Sequence, residues 1–253
     1  MEIKGQKQFE KLIKEAQKQE FSGWDFSFID ERWQEKPTSW SYEEIVRKHI
    51  KPEIHMLDMD TGGGEVLSSL QPLPRYTFAT EGYPPNVPVA KSRLEPLGVE
   101  VTRLYGDDPF PFKDGLFNLV TNRHASFIPP ELHRVLKPGG YFITQQVGGK
   151  NNFELNELLQ DKPEFQFSYW TPVLATKQLS DAGFQIIDQK EEFPETIFTD
   201  IGALVLYFRI ISWQIDDFSV EKYYDKLVKI HNLMQEKGSL QIRSHRFLII
   251  AQK

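Results

Sequence analysis

From about residue 54 to residue 147 the chain alternates short apolar runs with amphipathic ones, and this alternation limits its fold more than any other feature. "IHMLDM" reads as a strand, residues 65–70 as a helix, "RYTFATE" as a strand and residues 88–97 as a helix. "VEVTRLYG" and "FNLVTNRH" read as further strands, "PELHRVL" falls in a helix, and Pro138-Gly139-Gly140 turns the chain into "GYFITQQV". Strands separated by helices imply a parallel sheet covered on both faces.

The flanks differ. "FQIIDQKEEF" and "SHRFLIIAQ" read as strands enclosing an insertion at about 194–238, with helices near 199–211 and 220–236. No crossover helix directly precedes the second strand, so an antiparallel pair is expected. Upstream, Phe9, Leu12, Ile13 and Ala16 form a helical apolar stripe, followed by an aromatic segment with Trp24, Phe26, Phe28, Trp33 and Trp40. Ser41 and Glu44 form a capping box that opens a helix through about Lys48. The expected division is an extension over 1–44 and one domain over 45–253 that contains the insertion.

Composition narrows the functional classes. A net charge of −6 argues against nucleic acid as a partner, since such proteins present a basic face. The absence of cysteine excludes disulfides, thiolate metal sites and cysteine nucleophiles, and no metal site is expected. "MEIKGQKQFEKLIKEAQ" lacks an apolar signal core, and "IGALVLYF" falls short of the roughly 20 residues of a membrane helix. A cytoplasmic location without membrane contact is expected. "IGALVLYF" itself reads equally as a homodimer surface or as core.

The chemistry concentrates around "LDMDTGGGEVLSSL", a strand, three glycines and a helix. Gly62 and Gly64 fit the first two positions of a dinucleotide fingerprint, but Leu67 occupies the third, where close helix packing wants glycine. The first strand ends in Asp58, the second in Glu81 and the third in "GDDPFPF". All fall on the carboxyl edge of a doubly wound sheet, where such folds bind ligands, and Glu81 is well placed for ribose hydroxyls.

"LDMDTGGGE", "ATEGYPPNV", "GDDPFPF", "FNLVTNRH" and "RVLKPGGYF" occur in the order and spacing of the class I, Rossmann-like S-adenosylmethionine-dependent methyltransferases, which the chain resembles from about residue 45 to 150 and more loosely to the end. "NRHASF" and "KPGGYFITQQVGG" resemble an uncharacterised bacterial subgroup. The resemblance implies an α/β fold with a doubly wound, mostly parallel seven-stranded sheet, an antiparallel last strand and a helical N-terminal extension. It implies S-adenosyl-L-methionine as cofactor, with Thr61, Gly62 and Gly64 passing under its methionyl part and Asp58 orienting that loop or contacting the amino group through water. Glu81 and Gly82 would meet the ribose, Asp107 the adenine amino group and Asp108 the ring by its backbone. Asn122 would face the cofactor or the substrate.

Asp60 departs from the pattern, which has glycine there. Facing a carboxylate it would weaken binding; facing an ammonium or sulfonium group it would strengthen it. His124 is the candidate base, its ordinary pKa lying near neutrality, although a helix-capping place is as compatible with its position. The expected activity is methyl transfer to a small molecule. An RNA guanine methyltransferase and a non-catalytic binder of S-adenosylmethionine or S-adenosylhomocysteine are the alternatives. The aromatic segment would serve as a lid or as an anchor.

Overall fold

The computed structural model describes residues 2–21, 26–104 and 108–253. Among them the strands are β1 (Trp33–Glu35), β2 (His55–Met59), β3 (Tyr76–Glu81), β4 (Glu100–Arg103), β5 (Phe117–Arg123), β6 (Leu136–Val147), β7 (Gln185–Glu192), β8 (Glu195–Phe198), β9 (Leu240–Arg243) and β10 (Arg246–Gln252). The helices are α1 (Gln6–Lys18), α2 (Tyr42–Arg47), α3 (Glu65–Ser69), α4 (Asn86–Leu94), α5 (Pro129–Val135), α6 (Phe153–Leu159), α7 (Pro172–Asp181), α8 (Ile201–Ile210) and α9 (Tyr224–Lys237). The chain divides into two units. The larger holds Thr38–Gly148, Tyr169–Glu192 and Arg246–Lys253, the smaller Met1–Pro37, Gly149–Ser168 and Phe193–His245.

The larger unit is a seven-stranded sheet in the order β4-β3-β2-β5-β6-β10-β7. β10 runs antiparallel to both β6 and β7, and the other six strands run parallel to one another. Successive residues of a strand point to opposite faces. Leu57, Val120, Phe142 and Phe247 therefore enter one core, while Met56, Leu119, Ile143 and Leu248 enter the other. Both faces are covered, which explains the near-continuous apolar runs. The expected turn at residues 138–140 is instead a kink inside β6. Gly139 has φ 77, and its N–H donates to Lys253 O at 2.8 Å. Helix α2 opens at the expected cap, where Ser41 Oγ accepts the Glu44 N–H at 3.1 Å.

The smaller unit has an antiparallel sheet in the order β1-β8-β9 and a core that includes Phe9, Ile13, Phe198, Leu204, Phe208 and Leu227. "IGALVLYF" is helix α8. Ile201 through Phe208 are all buried, so this stretch is core and not a dimer surface. Arg209, the one partly open residue of α8, donates to Ala16 O and, at 2.9 Å, to Gln19 O, satisfying carbonyls that end α1. Phe26 stacks on Trp33 at 5.1 Å between ring centroids, and both pack on Tyr207. Trp24 lies outside the described residues. Among the described residues no helix is long and apolar enough to cross a membrane.

Candidate functional site

The carboxyl ends of β2, β3 and β5 bring together most of the residues singled out in the sequence. Asp58, near the end of β2, is 7 % exposed and accepts the Thr121 hydroxyl at 2.6 Å. Burial pushes its carboxyl up to about 6, restrained by the hydroxyls of Thr121 and Thr61. The Thr61 hydroxyl is buried close enough to act on that carboxyl but makes no hydrogen bond of good geometry, which leaves it free for a ligand. Tyr42 joins the group from α2. Its hydroxyl donates to Asn122 O at 3.2 Å, and burial together with the Asp58 charge holds its pKa well above 10.

The loop after β2 is built from left-handed residues. Asp60, Gly62 and Gly64 have φ of 47, 64 and 81. Aspartate tolerates that region better than most residues, so the backbone keeps a glycine-like course at Asp60. The Thr61 N–H donates to Thr80 O at 2.9 Å, and the Asp60 N–H to Thr80 Oγ1 at 3.3 Å. Arg93 of α4 reaches the Gly63 carbonyl and Glu65, pinning the loop from outside. Gly64 packs against Leu94, and a Cβ there would lie 2.7 Å from Leu94 Cγ.

Glu81 ends β3 only 4 % exposed and accepts the Tyr83 N–H at 2.6 Å. Burial raises its pKa, and the amides of Tyr83, Gly62 and Gly82 oppose that rise. Asp60, whose Oδ1 lies 3.6 Å from where a Cβ at Gly82 would stand, has its carboxyl likewise raised by burial, and the Gly82 amide opposes that rise. The residues fit a cationic, hydroxyl-rich nucleoside. Carboxylate acceptors line the rim, and nothing lies within 4 Å of the direction a Cβ would take at Gly62, so a ligand can approach the backbone there.

The loop after β4 is described only from Asp108 onward, and Asp107 lies outside the described residues. Asp108 is exposed. The loop is held by Arg134 of α5, which donates to Phe110 O at 3.0 Å, Phe112 O at 2.7 Å and Asp114 at 2.8 Å, while pairing with Glu131 at 2.8 Å. Nothing in the sequence pattern marked this clamp. Arg134→Met should cost about 2 kcal/mol of stability, because charge-assisted bonds to carbonyls are lost with no replacement donor. Urea unfolding checks the cost, and faster proteolytic cleavage within residues 108–114 checks its location.

Asn122, fully buried, has its side chain taken up internally. Its Oδ1 accepts from Thr144 Oγ1 at 2.9 Å and Gln146 Nε2 at 2.7 Å, so it supports the rim from within and does not face a ligand. Gln145 and Gln146 end β6 on opposite faces, and each receives an indole N–H. Trp40 donates to Gln145 Oε1 at 2.8 Å and Trp170 to Gln146 Oε1 at 3.3 Å. Trp40 is thus an anchor of the larger unit.

The same glutamine fixes the state of His124. An indole only donates, so Gln145 must turn its oxygen to Trp40 and its NH₂ to His124 Nε2, 3.3 Å away. Nε2 is then the acceptor, and the proton sits on Nδ1. Desolvation and the guanidinium groups of Arg123 and Arg246 push the pKa of His124 well below 6.5. His124 is itself exposed to solvent, so desolvation counts for less than the two neighbouring charges. In this arrangement His124, at φ 62, is the Nδ1–H tautomer with Nε2 accepting from Gln145, which disfavours the expected role of base. Ring-nitrogen NMR should show the Nδ1–H tautomer and no titration midpoint near 6.5; a midpoint at or above that value would remove this assignment.

The profile of a family described as "Methyltransferase domain" matches residues 57–144. A search of curated protein sequences finds no match. Among solved structures, a candidate methyltransferase from Bacillus halodurans C-125 is similar at TM-score 0.59 and 21 % identity, covering 84 % of this chain and 98 % of its own. The YcgJ protein of Bacillus subtilis is similar at 0.56 and 18 %, covering 84 % and 97 %. A geranyl diphosphate methyltransferase, solved with GPP and sinefungin, is similar at 0.50 and 14 %, covering 84 % and 76 %. At these identities the structural likeness is one of fold. The family match spans the glycine loop and the acid-ended strands, so residues 57–144 are similar to a methyltransferase domain, and the seven-stranded sheet is of the fold that the solved methyltransferase structures share.

Proposed function

We propose that this chain binds S-adenosyl-L-methionine at the rim formed by Asp58, the loop of Asp60, Thr61, Gly62 and Gly64, and Glu81 with Gly82, and transfers its methyl group to a small molecule. The observation that carries the reading is the convergence of buried carboxylates and an open, left-handed backbone turn at the carboxyl edge of one parallel sheet. Glu81 would take ribose hydroxyls through its two acceptor oxygens, and Asp58 would hold the loop. Asp107 and Asp108 would border the adenine. When bound, the cofactor supplies a methyl group already activated by its sulfonium.

The protein's own share is positioning and exclusion of water. His124 presents an N–H donor, so the acceptor is a group that arrives with a free lone pair and needs no proton removed by that histidine. The geranyl diphosphate methyltransferase, which shares the fold, supports a small-molecule acceptor. The acidic balance of the chain is unfavourable to RNA.

Calorimetric titration with S-adenosylmethionine and, separately, S-adenosylhomocysteine tests the cofactor. One-to-one binding in the micromolar range supports it; no heat together with an unchanged melting temperature removes it. Methyl label appearing in small molecules from a metabolite extract, and not in protein or RNA, tests the acceptor class.

A further inference from the structure

Asp60 stands where the family pattern has glycine, and the structure shows what the added side chain does. Its carboxylate sits beside Gly82, with Oδ1 3.6 Å from where a Cβ there would stand, and the Gly82 amide acts on both Asp60 and Glu81. Asp58 lies two residues before it and interacts with its charge. Three carboxylates therefore gather at one rim, from the end of β2, the loop after it and the end of β3. Among the described residues none of the three has a lysine, arginine or histidine within 4.0 Å, although Arg123 acts on Asp58 from further away. Their neighbours are hydroxyls and backbone amides, which carry no full charge. Like charges this close repel one another, and burial strengthens the repulsion. A ligand bearing a positive charge relieves it and a neutral ligand does not.

We infer that Asp60 makes the site charge-selective, so that it holds S-adenosylmethionine more tightly than S-adenosylhomocysteine and releases the product once its charge is gone. This rests on the cofactor reading above. The balance of the step explains the selectivity. The acceptor's lone pair forms a bond to the methyl carbon, the carbon–sulfur bond breaks, and its electron pair stays on sulfur. The sulfonium becomes a neutral thioether, and the positive charge leaves with the acceptor. Both ligands keep the same ribose, adenine and amino-acid groups, so the charge on sulfur is what the carboxylates can distinguish.

Calorimetry of the wild type, Asp60→Asn and Asp60→Gly against S-adenosylmethionine, S-adenosylhomocysteine and sinefungin, a stable analogue with an amine in place of the sulfonium, provides the test. Asparagine keeps the size and a side-chain oxygen beside Gly82, and glycine suits the left-handed backbone; matching melting curves establish that each variant is folded. In the wild type the two cationic ligands should bind at least about ten-fold more tightly than S-adenosylhomocysteine, which corresponds to about 1.4 kcal/mol. In both variants the preference should fall to within about three-fold of unity. Equal affinities in the wild type overturn the inference while leaving the cofactor reading intact. An equal loss for all three ligands in the variants overturns it too, by placing Asp60 on the shared amino group. If the wild type binds none of them, the cofactor reading fails and this inference fails with it.

Discussion

At pH 8 the Asp58→Asn protein should be about 2 kcal/mol more stable than the wild type, and the gap should fade as the pH falls from about 6 towards about 4. The buried Asp58 carboxyl has its pKa raised from 3.8 to about 6. A folded-state value above the unfolded one means that the native protein keeps a proton that the unfolded chain releases. The stability associated with that proton is fully present below 3.8 and is lost as pH rises through about 6. A separation of roughly two pK units corresponds to about 3 kcal/mol, reduced here because asparagine forfeits the attraction of Arg123. Asparagine never ionises and still accepts the Thr121 hydroxyl. Urea unfolding at several pH values is the measurement. A gap independent of pH, or a less stable variant at pH 8, would show that Asp58 is not held charged at a cost. The stabilised protein should bind cofactor less well, since a charge placed for a ligand is strain without one.

Gly64→Ala should destabilise the protein by about 3 kcal/mol, combining a strained backbone with an overpacked contact. The residue has φ 81, and the new Cβ would meet Leu94 Cγ at 2.7 Å and Cδ1 at 2.8 Å. Leu94 is fully buried, so its side chain has no open direction in which to swing. The steric part is separable. In a Leu94→Ala background the added penalty of Gly64→Ala should shrink to the backbone part alone, about 1 kcal/mol, giving a coupling that a double-mutant cycle in urea reads directly. A single variant within 0.5 kcal/mol of the wild type, roughly the scatter of a surface substitution, would rule out the α3–α4 packing described here.

The sheet was legible because its strands are buried on both faces and separated by helices of sufficient length. The antiparallel pair of β7 and β10 was legible for a related reason, since nothing between "SHRFLIIAQ" and the preceding helix could serve as a crossover. The three-stranded sheet of the smaller unit was not. β1 has three residues and β8 and β9 four each, too few for alternation to declare itself, and the pairing of Trp33 with Phe198 spans a separation no local pattern encodes. At the site, the glycines and strand-ending acids were visible because residue type alone carries their meaning. The placement of Asn122, the tautomer of His124 and the clamp at Arg134 were hidden. Each depends on a partner far along the chain, Gln146, Gln145 and Phe110 respectively. Asp60 was visible as an anomaly, but only three dimensions show its carboxylate beside Gly82.

The interior position of β10 sets a timetable for biosynthesis. Arg246–Gln252 lies between β6 and β7, so β6 leaves the ribosome with one edge of backbone N–H and C=O groups unpaired, and β7 has no sheet to join until β10 is made. The smaller unit must wait as well, because among the described residues β1 pairs with β8 alone, and the unit's segments lie before, within and after those of the larger unit along the chain. At ordinary translation speeds of about 5–20 residues per second, the edge of β6 stays uncovered for several seconds. Pairings between residues so far apart are also intrinsically slow to form. A nascent chain of this topology is therefore a natural client for ribosome-associated chaperones, and it is most vulnerable to aggregation in the interval between the emergence of β6 and that of β10.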